Sequence, residues 1–104
     1  MLESHFLIAN QLEKNDIPYR YHAAVTLGDQ TEYPTFTIKN PYDGEIFIWE
    51  HFGIDQSGTM QEINEKMRLY MEHGYTTSNN LIYTFEIDVN NPHHLQELIE
   101  EVIF

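Results

Sequence analysis

Glu45-Ile46-Phe47-Ile48-Trp49-Glu50 is the stretch on which the fold turns. Four bulky apolar residues in unbroken succession leave a strand no polar face to offer to water, so Ile46 to Trp49 predicts a strand covered on both sides. Just upstream, Asn40-Pro41-Tyr42-Asp43-Gly44 is a strong turn signal. The preceding Tyr33 to Ile38, aromatic and β-branched, is then the partner arm of a hairpin.

Further towards the N-terminus, Tyr19, Tyr21, Ala23 and Val25 share one face at period two and predict a strand, which Gly28-Asp29-Gln30 ends. Leu2, Phe6, Ala9 and Leu12, with Ile8 beside them, recur at helical spacing. They predict a helix from about residue 2 to 15, closed by Asn15-Asp16 and Pro18. Downstream of a loop holding Gly53 and Gly58, the residues Met60, Ile63, Met67, Tyr70 and Met71 step by three and four. Thr59-Met60-Gln61-Glu62 reads as a capping box for that helix, and Gly74 as its stop. Leu81 to Phe85 supplies a fourth strand. Asn91-Pro92 opens a last helix with Leu95, Leu98, Ile99, Val102 and Ile103 on its buried side. The order is αβββαβα. Antiparallel hairpin arms and a helical crossover to the last strand give an α/β fold with a mixed four-stranded sheet flanked by helices.

With 104 residues, 41% of them hydrophobic, and no linker, repeat or low-complexity tract, residues 1–104 read as a single domain, which could equally be one segment of a longer chain. No apolar run reaches the ~18–20 residues that span a bilayer. Met1-Leu2-Glu3-Ser4-His5 has no basic start or apolar stretch of a secretion signal, so the expected location is cytoplasmic and no membrane partner is expected. The absence of cysteine excludes disulfides, thiolate zinc sites and cysteine nucleophiles. Seventeen acidic against five basic residues give a net charge of −12, which repels a bare phosphate backbone over most of the surface. Any phosphate contact has to use a few of Lys14, Arg20, Lys39, Lys66 and Arg68, a divalent cation, or a partner domain. Dinucleotide, P-loop and zincin motifs do not occur.

Three strings stand out: Tyr33-Pro34-Thr35-Phe36-Thr37-Ile38, then Ile48-Trp49-Glu50-His51-Phe52-Gly53, and Lys66 four before Tyr70, itself four before Gly74. Together they resemble the PD-(D/E)XK nuclease-like superfamily, with its restriction-endonuclease-like fold. The variant most similar reads Pro-Asp-Phe-Thr-Ile, Trp-Glu-His-Leu-Gly and Lys-x-x-x-Tyr and accompanies some DNA helicases and other DNA-processing proteins. The resemblance covers nearly the whole chain, because the superfamily's αβββαβ core is the order already read.

The resemblance implies phosphodiester hydrolysis with Mg²⁺ or Mn²⁺. The cation is held by carboxylates, polarises the phosphate and acidifies a water, while a lysine offsets developing charge. Carried over residue by residue, Glu3 is the first-helix carboxylate, Thr35 takes the place of the motif aspartate, and Glu50 is the strand ligand. Phe52 stands where the lysine is usual, and Lys66 is its substitute. A neutral hydroxyl is a poor ligand for a hard dication, so Thr35 implies impaired catalysis unless Asp29 or Glu32 reaches in from the preceding loop.

The same residues have plainer readings. Glu50 can end its strand at solvent, Glu3 can complement the helix dipole, and Lys66 can pair with Glu62 one turn earlier. His51 suits a metal, a proton transfer or a backbone hydrogen bond. His93-His94 reads as surface, and His5, His22 and His73 show no partner. The tyrosines Tyr19, Tyr21, Tyr33 and Tyr42 read as packing and edge residues rather than a base-stacking platform. Three functions follow. One is a metal-dependent nuclease domain, impaired by Thr35. Another is a non-catalytic interaction or scaffold module of a DNA-processing assembly, reaching DNA through a partner domain. A third is an acidic phosphate mimic that occupies a basic groove on a nucleic-acid-binding partner.

Overall fold

The structure, a computed structural model, describes residues 1–53 and 60–104. Gly58 and Thr59, the latter the first residue of the expected capping box, lie outside them. The elements run α1 (Glu3–Lys14), β1 (Tyr19–Tyr21), β2 (Val25–Leu27), β3 (Gln30–Glu32), β4 (Phe36–Lys39), β5 (Ile46–Phe52), α2 (Met60–Glu72), β6 (Leu81–Phe85), α3 (Glu86–Val89) and α4 (Pro92–Val102). Four strands form one sheet in the order β1-β4-β5-β6; β1, β4 and β5 are antiparallel neighbours and β6 joins β5 in parallel. The mixed four-stranded sheet with flanking helices is thus as the sequence predicts.

The apolar run of β5 is buried from Phe47 onward, Ile46 at its start being exposed contrary to expectation, and its alternating side chains fill two cores. Phe47 and Trp49 pack with Phe36, Ile38 and Ile82, under Ile8 and Leu12 of α1 and Leu95 and Ile99 of α4. Ile48 and Phe52 pack on the opposite face with Leu81, under Ile63, Met67 and Tyr70 of α2. Two-sided burial explains why this strand carries no polar alternation until Glu50.

Two helix ends have a clear local cause. Asn91 Oδ1 accepts the His93 N–H, and Pro92 sits in the first turn of α4, where its missing N–H costs nothing. Gly74 at φ +92° lets Tyr75 N–H reach the Tyr70 carbonyl and close α2. The β4–β5 turn is tied to the far end of the chain: Asn40 Oδ1 accepts the Tyr42 N–H, and its Nδ2 donates to the Ile103 carbonyl.

Several expectations need correction. The first strand does not run to Val25; it stops at Tyr21 because His22 takes a left-handed conformation at φ +52°. The chain then forms a separate β2–β3 hairpin around Gly28-Asp29, with Gly28 at φ +64°, so the break signal is a tight two-residue turn. The next strand starts at Phe36, not Tyr33. The buried stripe of α1 is also rotated: His5, Ile8, Ala9 and Leu12 face the core, while Leu2 and Phe6 are exposed. Finally, β6 leads directly into the short α3, whose first turn is fixed by the Asp88 carboxylate accepting the Phe85 N–H at 2.7 Å.

Ile99 is fully buried where α4 meets the sheet. Ile99→Ala is expected to lower the unfolding free energy by about 2–5 kcal/mol, read from denaturant midpoints at unchanged slope.

Candidate functional site

Beyond the C-terminal end of β5, a hollow of about 220 Å³ is walled by His5, His51, Thr35, Glu50 and Lys66 among others. Successive β5 residues point to opposite faces, so Glu50 and His51 enter two different polar networks at one place.

Glu50 is only 4% exposed. Extending the β4–β5 register one step beyond Phe36↔Trp49 sets Thr35 beside it on the α2 face of the sheet. The Thr35 N–H and hydroxyl both address Glu50 Oε1, at 3.1 and 3.3 Å. From α2, the Tyr70 hydroxyl donates to Oε2 at 2.8 Å, and Lys66 Nζ lies 3.4 Å from the same oxygen. Lys66 and Tyr70, four residues apart, share one helix face, which is why both reach the strand. Thr35 Oγ1 also accepts the His51 N–H at 2.9 Å, locking the start of β4 onto the end of β5. Burial, then the Glu50 carboxylate, raises the Tyr70 phenol far above its ordinary range, so it stays protonated and donating.

Thr35, Glu50 and Lys66 therefore meet, and the plainer reading of Glu50 does not hold: the strand continues past it, and Lys66 extends to it from α2. Glu3 does not join them. It lies on the exposed first turn of α1, and the residue of that helix in the hollow is His5. Asp29 is exposed at the tip of the β2–β3 hairpin, and Glu32 lines an adjoining depression with Glu65 and Glu72, so neither lines this hollow in place of the absent aspartate.

On the other face, His51 Nε2 lies 2.9 Å from Glu86 Oε1 and Nδ1 lies 2.9 Å from Thr84 Oγ1. The Trp49 indole N–H donates to the same threonine oxygen at 3.0 Å, and the Ser4 hydroxyl donates to Glu86. One assignment satisfies every partner: Trp49 donates to Thr84, Thr84 donates to Nδ1, and Nε2–H donates to Glu86. The His51 bond, then the Ser4 bond, holds the Glu86 carboxyl below the usual carboxylate range. Hydroxyl, imidazole and carboxylate stand in the order of a hydrolytic triad, yet Thr84 is fully buried and no substrate carbonyl can approach it. This chain of bonds fastens β5, β6, α1 and α3 together.

His5 is 2% exposed; its Nδ1 lies 2.7 Å from the Tyr21 hydroxyl, while its Nε2 has no partner among the described residues. The rings of His51 and His22 stand edge-on to it at 5.6 and 5.7 Å. Burial, followed by those two histidines, pushes its pKa down to about 4. Sequence reasoning left His5 without a role, although its spacing of three and four from Ile8 and Ala9 marked it as a polar residue on the core stripe. His73 Nδ1 bonds the Leu69 carbonyl; His93 and His94 pair with Glu97 and Asp88 near the surface.

These groups do not fit a hard divalent cation. Such an ion needs several anionic oxygens with free lone pairs. Here the carboxylate already takes internal donors on both oxygens, its neighbour is a neutral hydroxyl, and Glu3 is elsewhere. Among the described residues, no group of three or more His, Asp or Glu side chains is arranged to hold a metal. No helix of the described residues is long and apolar enough to cross a membrane. No family model, curated protein or solved structure matches the chain.

The unfolded His5 takes up a proton near pH 6.5 and the folded one only near 4, so acidification favours the unfolded chain across that interval. Stability is expected to fall by roughly 3 kcal/mol from this group as pH drops through the window. His5→Phe, which keeps an aromatic ring against Tyr21 and Phe36, should lack that component when unfolding curves are compared from pH 7 to 4.

Proposed function

We propose that this chain is a nuclease-like domain whose cation-dependent chemistry has been lost and whose present role is a non-catalytic interaction or scaffold module within a DNA-processing assembly. The observation that carries the reading is the state of Glu50: a buried carboxylate at the end of a central strand, satisfied by Thr35, Tyr70 and Lys66. In a working site of the kind the sequence resembles, those lone pairs would hold Mg²⁺ or Mn²⁺, and a second carboxylate would stand where Thr35 stands. Replacing that carboxylate by a hydroxyl removes one ligand charge, and the freed coordination is taken up by a phenol and an ammonium. A restriction-endonuclease-like topology is in keeping with the antiparallel β1-β4-β5 strands and the parallel β6 reached through α2. The net charge of −12 favours contact with proteins over unaided contact with DNA.

The test is nicking of supercoiled DNA at millimolar Mn²⁺. Wild-type protein is expected to leave the plasmid intact; Mn²⁺-dependent nicking that disappears in Glu50→Ala would overturn the proposal. Thr35→Asp is expected to create measurable Mn²⁺ binding by restoring the second carboxylate; no gain at all would mean that the cleft itself has drifted and not merely lost one ligand.

A further inference from the structure

On the α2 face of the sheet, at the end away from Glu50, α2 and the β2–β3 hairpin leave part of β1, β4 and β5 open. Here lies a groove of about 610 Å³, bordered by Pro18, Ala24, Val25 and Ile46 and by two cations, Arg20 and Lys39. Arg20 is paired directly with Thr37, and Lys39 follows on the same strand and the same face, so the two are diagonal cross-strand neighbours at about 7–8 Å. The Lys39 stem lies over Gly44, 3.5 Å from where a Cβ there would sit. Neither cation has an ion-pair partner among the described residues, and no Asp or Glu lines the groove. Lys66 and Arg68, by contrast, share a depression with Glu32, Glu62, Glu65 and Glu72. Two like charges side by side repel until an anion joins them. Ile46, 44% exposed, gives the same groove an apolar wall.

β1 is also an edge strand. The His22 N–H to Thr35 and Lys39 N–H to Pro18 bonds turn the even-numbered residues of β1 towards β4. The main-chain groups of Tyr19 and Tyr21 therefore face outward, free to pair with an extended chain. We propose that this groove docks an extended acidic peptide, its carboxylates between Arg20 and Lys39 and its apolar side chains against Val25 and Ile46. The site is remote from the Glu50 hollow and does not depend on the fate of the cation chemistry there.

The experiment is fluorescence anisotropy of a short fluorescein-labelled peptide of Glu-Ser-Leu-Ser repeats, which presents glutamate and leucine on one face of an extended chain, titrated with the protein. Saturable binding is expected, weakening with salt, about tenfold weaker for Arg20→Glu with Lys39→Glu, and lost when glutamine replaces glutamate in the peptide. Arg20→Gln with Lys39→Gln, which removes charge without reversing it, should fall between. No saturable binding, undiminished binding by both double variants, or tighter binding of a labelled single-stranded oligonucleotide at the same salt would overturn the proposal.

Discussion

A carboxylate held 4% exposed at the end of a central strand must be answered by donors, and most of the site's architecture answers Glu50. The requirement reaches into three elements. Thr35 has to precede β4 closely enough for its N–H to face Oε1, Tyr70 has to occur on the buried side of α2, and Lys66 has to sit one turn before it. Because Thr35 also accepts the His51 N–H, satisfying the carboxylate simultaneously sets the β4–β5 register. The same contacts that hold the strand ends together occupy the lone pairs a cation would need.

β5 delivers opposite chemistry to its two sides. Glu50 is answered by α2, whereas His51 is answered by Thr84, Glu86 and, at one remove, Ser4 and Trp49. Adjacent residues thus bind the sheet to both helical layers at one level. Among the described residues, His5 is the member left incomplete, with a bonded Nδ1 and an unpartnered Nε2 in the wall of the hollow.

The strand that organises the fold was legible because four consecutive apolar residues admit few other readings, and the closing helix because Asn91-Pro92 and its stripe agree. The β2–β3 hairpin was not, since Tyr19 to Val25 alternates as one strand would and nothing in a histidine announces φ +52°. On α1, two apolar stripes compete: Leu2 and Phe6 lie about one residue out of phase with His5, Ile8 and Leu12, and the histidine disguised the buried one. Of the site, Thr35, Glu50 and Lys66 were legible from their strings. Their mutual contacts were not, nor was Tyr70 as a donor, because a tyrosine on a helical stripe reads as packing. Glu3 was misplaced for the reason His5 was overlooked: the helix faces the hollow two residues later.

Charge divides the molecule as burial does. Acids dominate the surface, yet the open end of the sheet gathers Arg20 and Lys39 without a neutralising acid, while Glu50 is neutralised from within. The central claim is that the Glu50 carboxylate is closed to added cations. Paramagnetic broadening of backbone amide resonances by Mn²⁺ tests it most directly. The amides of Thr35 and His51, which bond into the Glu50 network, should broaden no more than those of buried residues elsewhere in the sheet. Selective loss of those two signals at substoichiometric Mn²⁺ would contradict it.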